Sequence, residues 1–114
     1  DAIRGATKRL KFDQTSGEST QAEMVKTLDS DGFTLGTSST SNNNGTNFLG
    51  YNWKAGGSGS ANTDGSINST VSVNTTAGFS IVTYTGTGAN ATVGHGLGTP
   101  PKFIITRCYR FFKI

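Results

Sequence analysis

Residues 78–107 read GFSIVTYTGTGANATVGHGLGTPPKFIITR, and the reading of this stretch decides the fold. It holds two apolar runs of strand length, 79–85 and 102–107, both rich in β-branched and aromatic residues. Phe79, Ile81 and Thr83 alternate with Ser80, Val82 and Tyr84, and Phe103 and Ile105 alternate with Ile104 and Thr106. A two-residue period with almost no charge predicts strands buried on one or both faces. The Gly, Ala, Asn and Thr residues between the runs suit tight turns, bulges and close backbone approach, where a Cβ is costly. The stretch reads as the core of an all-β domain.

Composition points the same way. Only 32% of the 114 residues are hydrophobic and 15% charged, while Gly, Ser, Thr and Asn make up nearly half of the chain. These four are weak helix formers and strong turn or strand-surface residues. The length suits one domain at most, or part of one, with a modest core. The net charge of +3 is unevenly placed: between Ala55 and Pro101 the only formally charged residue is Asp64. Basic residues gather at the ends, with Arg4, Lys8, Arg9 and Lys11 in one group and Lys102, Arg107, Arg110 and Lys113 in the other. A nucleic-acid binder concentrates basic and aromatic residues on one face; here solvated ends or subunit contacts are expected, and no nucleic acid. Cys108 is alone, so no intramolecular disulfide framework exists and stability must come from packing or association. No run is long enough for a membrane-spanning helix, and no signal peptide is visible. The start at Asp1 without Met is that expected of a processed chain or of part of a longer polypeptide.

Outward from the central stretch, 8–12 alternates Leu10 and Phe12 with Arg9 and Lys11, the pattern of a strand with one wet face. The run 21–28 is the one place where a helix is plausible, although 25–28 works nearly as well as a strand. Asp29-Ser30-Asp31-Gly32 is a turn signal leading into a strand at 33–35. It also has the opening of a calcium loop, but the closing Glu and the other oxygen ligands are absent. A polar low-complexity loop at 37–46 precedes 47–54, NFLGYNWK, the most aromatic strand candidate. There Tyr51 and Trp53 share a face, which is that of core, of a subunit interface or of a sugar-stacking platform. Residues 55–65, AGGSGSANTDG, read as a flexible linker, and 66–74 as a weak edge-type strand.

Nothing here assembles into catalysis. His95, the single histidine, has no acidic residue nearby in sequence, and the glycines around it lack the lysine and following helix of a phosphate-binding loop. It reads as a side chain that hydrogen-bonds a turn, with ligand contact as the alternative. No cofactor and no metal are expected, because a metal site needs more His, Cys or grouped carboxylates.

The segment VGHGLGTPPKFII resembles the H-x-LG-x-x-P-x-x-I strand-turn-strand module of bacteriophage tail-fibre and other virion proteins, carried here by His95, Leu97, Gly98, Pro101 and Ile104. Together with DSDGFTLG, the Ser/Asn/Gly loop, FLGYNWKAGGSGS and the central stretch, it resembles a repeated domain of large structural proteins from marine phages. The likeness runs from about Gly5 to Arg107. It implies an antiparallel β-sandwich of concanavalin-like or jelly-roll-like form. It also implies that 1–54 is the closing half of one β-repeat, 55–65 the Gly/Ser junction and 66–114 the opening half of the next, with a divergent tail after Arg107. Each half then lacks partner strands, so completion by a neighbouring subunit is expected. Phe103, Ile105, Tyr109, Phe111 and Phe112 are the expected interface residues.

The expectation is thus a non-enzymatic structural component of a phage-like virion, on a tail fibre or as surface decoration, self-assembling through strand edges. Its expected partners are copies of itself or other virion proteins, and it inserts into no membrane. Its expected location is the virion surface or tail, or otherwise the extracellular space. The alternative is an adhesin-like module contacting host surface glycans through Tyr51, Trp53 and His95.

Overall fold

The structure, a computed structural model, describes residues 1–109. It is nearly all-β, and its strands pair antiparallel in three small sheets. The chain divides into two compact units, Ile3–Gly50 together with 104–109, and Tyr51–Phe103.

In the first unit, β1 (Lys8–Arg9) pairs with β2 (Ser19–Thr20). Only this much of the expected 8–12 strand forms; the chain opposite Leu10–Phe12 belongs to the loop before Ser19 and offers no ladder. The pair is tied by charge: Glu18 accepts from Arg4 at 2.9 Å and lies 3.7 Å from the Lys8 ammonium. Next, β3 (Val25–Asp29) and β4 (Gly32–Leu35) form a hairpin with Leu28 opposite Phe33 and a register shift between Val25 and Thr27. The helix alternative for 21–28 is therefore not adopted. Ser30 and Asp31 make the turn with negative φ, and Gly32 takes φ +154° in their place. Thr34 closes the turn by donating to the Asp29 carboxylate at 2.9 Å.

A single helical turn, α1 (Ser39–Asn42), forms inside the expected polar loop. Ser38 caps it, accepting the Thr40 N–H on its hydroxyl and the Ser41 and Asn42 N–H groups on its carbonyl. Asn42 donates back to the Gly36 carbonyl at 2.9 Å. Short polar side chains that bond neighbouring backbone are poor in helix interiors but sufficient to hold one turn.

The second unit carries a three-stranded sheet in the order β5 (Ser60–Asn62), β6 (Ser69–Asn74), β7 (Phe79–Tyr84). The stretch expected as a linker thus supplies an edge strand. Ladder bonds come from the backbone, so three small residues suffice where β6 offers a free edge. Residues opposite each other in an antiparallel ladder share a face. Val71, Val73, Val82 and Tyr84 therefore lie on one side, and Ser72, Phe79 and Ile81 on the other.

Both faces are covered by glycine-rich chain. On the valine side, Val93 bridges to Ile67, Ser69 donates to the Gly94 carbonyl, and Gly96 (φ +72°) lies so close that a Cβ would sit 3.3–3.4 Å from the Val71 and Val73 methyls. On the other side, Ser72 accepts the Gly56 N–H at 3.0 Å and donates to the Gly57 carbonyl at 2.6 Å. Ile67 and Val71 are the buried apolar residues among those described, and Ser72 is the most completely enclosed side chain at 1% exposure.

Two expected strands do not form. Neither 47–54 nor 102–106 is part of a strand, and their apolar side chains stand in solvent, with Leu49 and Phe103 each 78% exposed. The alternating pattern supplies the side chains of a strand. It does not supply the neighbour that a strand must bond to.

Candidate binding surface

The unit Tyr51–Phe103 holds the most organised group of exposed side chains. Tyr51 and Trp53 sit two residues apart in a segment outside any strand, and their rings meet. The ring centroids are 6.0 Å apart with planes 24° from parallel. Trp53 continues the stack onto Phe79 at the start of β7, again at 6.0 Å and with planes 18° apart. At this separation near-parallel rings are slipped past one another rather than covering one another. Tyr51 accordingly remains 72% exposed and Trp53 66%.

The stack is anchored at Phe79 and in the chain that follows Trp53. Phe79 is fixed by the β6–β7 ladder, opposite Asn74. Just beyond Trp53, Gly56 and Gly57 are fastened by the two Ser72 hydrogen bonds. Gly56 lies so close to β6 that a Cβ there would meet the Val73 carbonyl oxygen, so only glycine lets the strap run at this height. Phe79, twenty-six residues from Trp53 in the chain, was legible in the sequence only as a core strand residue; the register of β7 is what presents it to the indole.

His95 is not brought to this group. Its Nδ1 accepts the Leu97 N–H at 3.1 Å, making a local turn. That turn follows Gly94 and includes Gly96, both on the valine face, with the sheet between it and the stack. Asp29 and Asp31 stay in the hairpin turn, and no cluster of three or more His, Cys, Asp or Glu side chains occurs among the described residues.

Of the expected interface residues, Phe103 and Ile105 are exposed. Tyr109 is half-buried beside the Arg4 guanidinium, 5.8 Å from the ring centroid, and its carbonyl accepts the Glu18 N–H at 2.8 Å. Arg4 also pairs with Asp1. Arg107 donates to the Gln14 and Ser16 carbonyls, which fastens the returning chain to the first unit. Phe111 and Phe112 lie outside the described residues.

A family model described as a domain of unknown function (DUF7483) matches residues 1–111. The chain belongs to the DUF7483 family. No curated protein matches it, and no solved structure does. The geometry of the DUF7483 chain offers a small neutral sheet, an aromatic stack that ends on Phe79 of that sheet, and exposed apolar residues outside the strands. Among its described residues no helix is long and apolar enough to cross a membrane.

Proposed function

We propose that this DUF7483 chain is a structural module of a phage-like virion, on a tail fibre or as surface decoration, whose sheets are completed by neighbouring copies into a sandwich. The observation that carries the reading is the imbalance between what the chain buries and what it leaves open. Among the described residues the buried apolar ones are Ile67 and Val71, whereas Phe48, Leu49, Phe103, Ile104 and Ile105 are all more than half exposed on chain outside any strand. Single exposed hydrophobes are ordinary, but contiguous runs of them are the mark of surfaces that another molecule covers. The free edge of β7 supports the same reading. Its six residues, FSIVTY, carry no charge and no proline, and among the described residues no strand or loop bonds to the side away from β6. Monomeric proteins commonly blunt such an edge with lysine, proline or a bulge. The virion assignment rests on the resemblance of VGHGLGTPPKFII and its flanking segments to phage structural repeats.

Sedimentation velocity across a wide concentration range tests the assembly. Association that strengthens with concentration is expected, weakened at least tenfold by Phe103→Ser with Ile105→Ser. A wild-type chain that stays monomeric and folds cooperatively at every concentration overturns it. Recovery of the chain from purified particles tests the location.

A further inference from the structure

We propose that the Tyr51–Trp53–Phe79 stack is a binding platform for an uncharged glycan chain. Four observations on the same unit converge. The rings are nearly parallel and evenly spaced, 6.0 Å between successive centroids, a step comparable with the length of one hexopyranose unit. Sugar rings present apolar C–H faces that lie against aromatic faces, while their hydroxyls stay in water, so the ligand suits the exposed Tyr51 and Trp53 rings backed by the half-buried Phe79.

The platform is built before any ligand arrives. The Ser72 hydroxyl bonds to Gly56 and Gly57 anchor the chain beyond Trp53, and the β6–β7 ladder anchors Phe79. Phe79 and the chain that follows Trp53 therefore need no ordering when a ligand binds.

Charge then selects the class of ligand. Bases also stack on exposed rings, but a single-stranded nucleic acid needs a basic groove along its backbone. Lys54 is the one cation adjoining the stack in sequence, and between Ala55 and Pro101 the chain carries only Asp64. An acidic polysaccharide lacks partners for the same reason. The residues interleaved with and following the rings, Asn52 and the Gly-Ser strap, are small and polar, and offer hydrogen bonds to hydroxyls rather than a continuous apolar patch for a protein partner.

The single tryptophan makes the test direct, because the chain has one indole N–H resonance. Cellohexaose, maltohexaose and chitohexaose are titrated into the isotope-labelled full chain, with a heparin hexasaccharide as charged control. A saturable shift of the Trp53 indole signal by at least one neutral glycan, and none by the control, is expected. Tyr51→Ala should raise Kd roughly 3- to 10-fold, the loss of one aromatic contact. Tyr84→Ala, an exposed ring on the opposite face, should leave it unchanged. Tyr51 is largely solvent-exposed, so its removal spares the fold; Tyr51→Phe should retain binding and separates ring stacking from the hydroxyl. Absence of any indole shift up to the solubility of all three neutral glycans overturns the proposal. So does a shift that follows protein concentration alone, which assigns the stack to contact between copies, and so does equal weakening by Tyr84→Ala.

Discussion

Ser72 shows how much a single small hydroxyl does in a chain with so little apolar core. It is almost fully enclosed, donates to one glycine carbonyl of the strap and accepts the N–H of the other. Ser72→Ala leaves both backbone groups without that partner at a buried position. The expected cost is about 1–2 kcal/mol, read by urea denaturation, with a parallel change in Trp53 emission as the strap loosens. Gly56→Ala attacks the same contact from the other side. The added Cβ meets the Val73 carbonyl, which is backbone and cannot rotate away. Overpacking of this kind costs roughly 1–3 kcal/mol, and a Tm unchanged from wild type would show that the strap does not lie against β6. In the first unit, the Glu23 carboxyl is held below the ordinary glutamate range, first by the Thr37 backbone N–H and then by Lys26. Because its folded value is depressed, its contribution to stability is present above the unfolded pKa and fades as pH falls through the folded one. A carboxyl titration by NMR should place Glu23 below its own value in the denatured chain, and Lys26→Ala should move it upward. Glu23 is solvent-exposed, so the effect on overall stability should be slight.

At the scale of elements, pattern and pairing part company. The alternation of 79–84 and 69–74 produced strands because a four-residue turn, Thr75–Gly78, returns one onto the other. The alternation also runs through 47–54 and 102–107, yet neither 47–54 nor 102–106 forms a strand. The β7 edge has the reverse situation, backbone groups available and no occupant among the described residues. Replacing Thr83 with Lys places a charge on that edge strand, on the face of the sheet that carries Ile81 and Phe79, and like charges then meet where two copies pair through β7. Concentration-dependent association should weaken several-fold, with partial recovery at high salt. Association unaltered by this change would assign the contacts to the Phe103–Ile105 segment instead.

For the whole molecule, the two units divide the chemistry. Charge pairs concentrate in the first, among Asp1, Arg4, Lys8, Glu18, Glu23 and Lys26. The second is nearly neutral and owes its order to one sheet wrapped by glycine-rich chain. A core this small gives marginal stability by itself. Anything that covers the open apolar chain therefore raises the apparent stability by mass action. The thermal midpoint should climb measurably with protein concentration, checked by calorimetry over a hundredfold range, if copies complete one another.

The sequence by itself determined the all-β class, the strand β7, a strand within 66–74, the turn at Asp29–Gly32 and the shared side of Tyr51 and Trp53. Each follows from local rules: period two, turn residues, and the near absence of helix formers and charge. The edge place expected for 66–74 is not what forms, because β5 and β7 pair with β6 on both sides and make it the central strand. Tertiary structure alone decided that Phe79 joins the aromatic stack, that Ser72 fastens the strap, that 60–62 is an edge strand, and that His95 faces the other side of the sheet. These are pairings between residues far apart in the chain. A strand's side-chain pattern is written along it, but the neighbour that satisfies its backbone is set only when the chain folds back and one register is chosen.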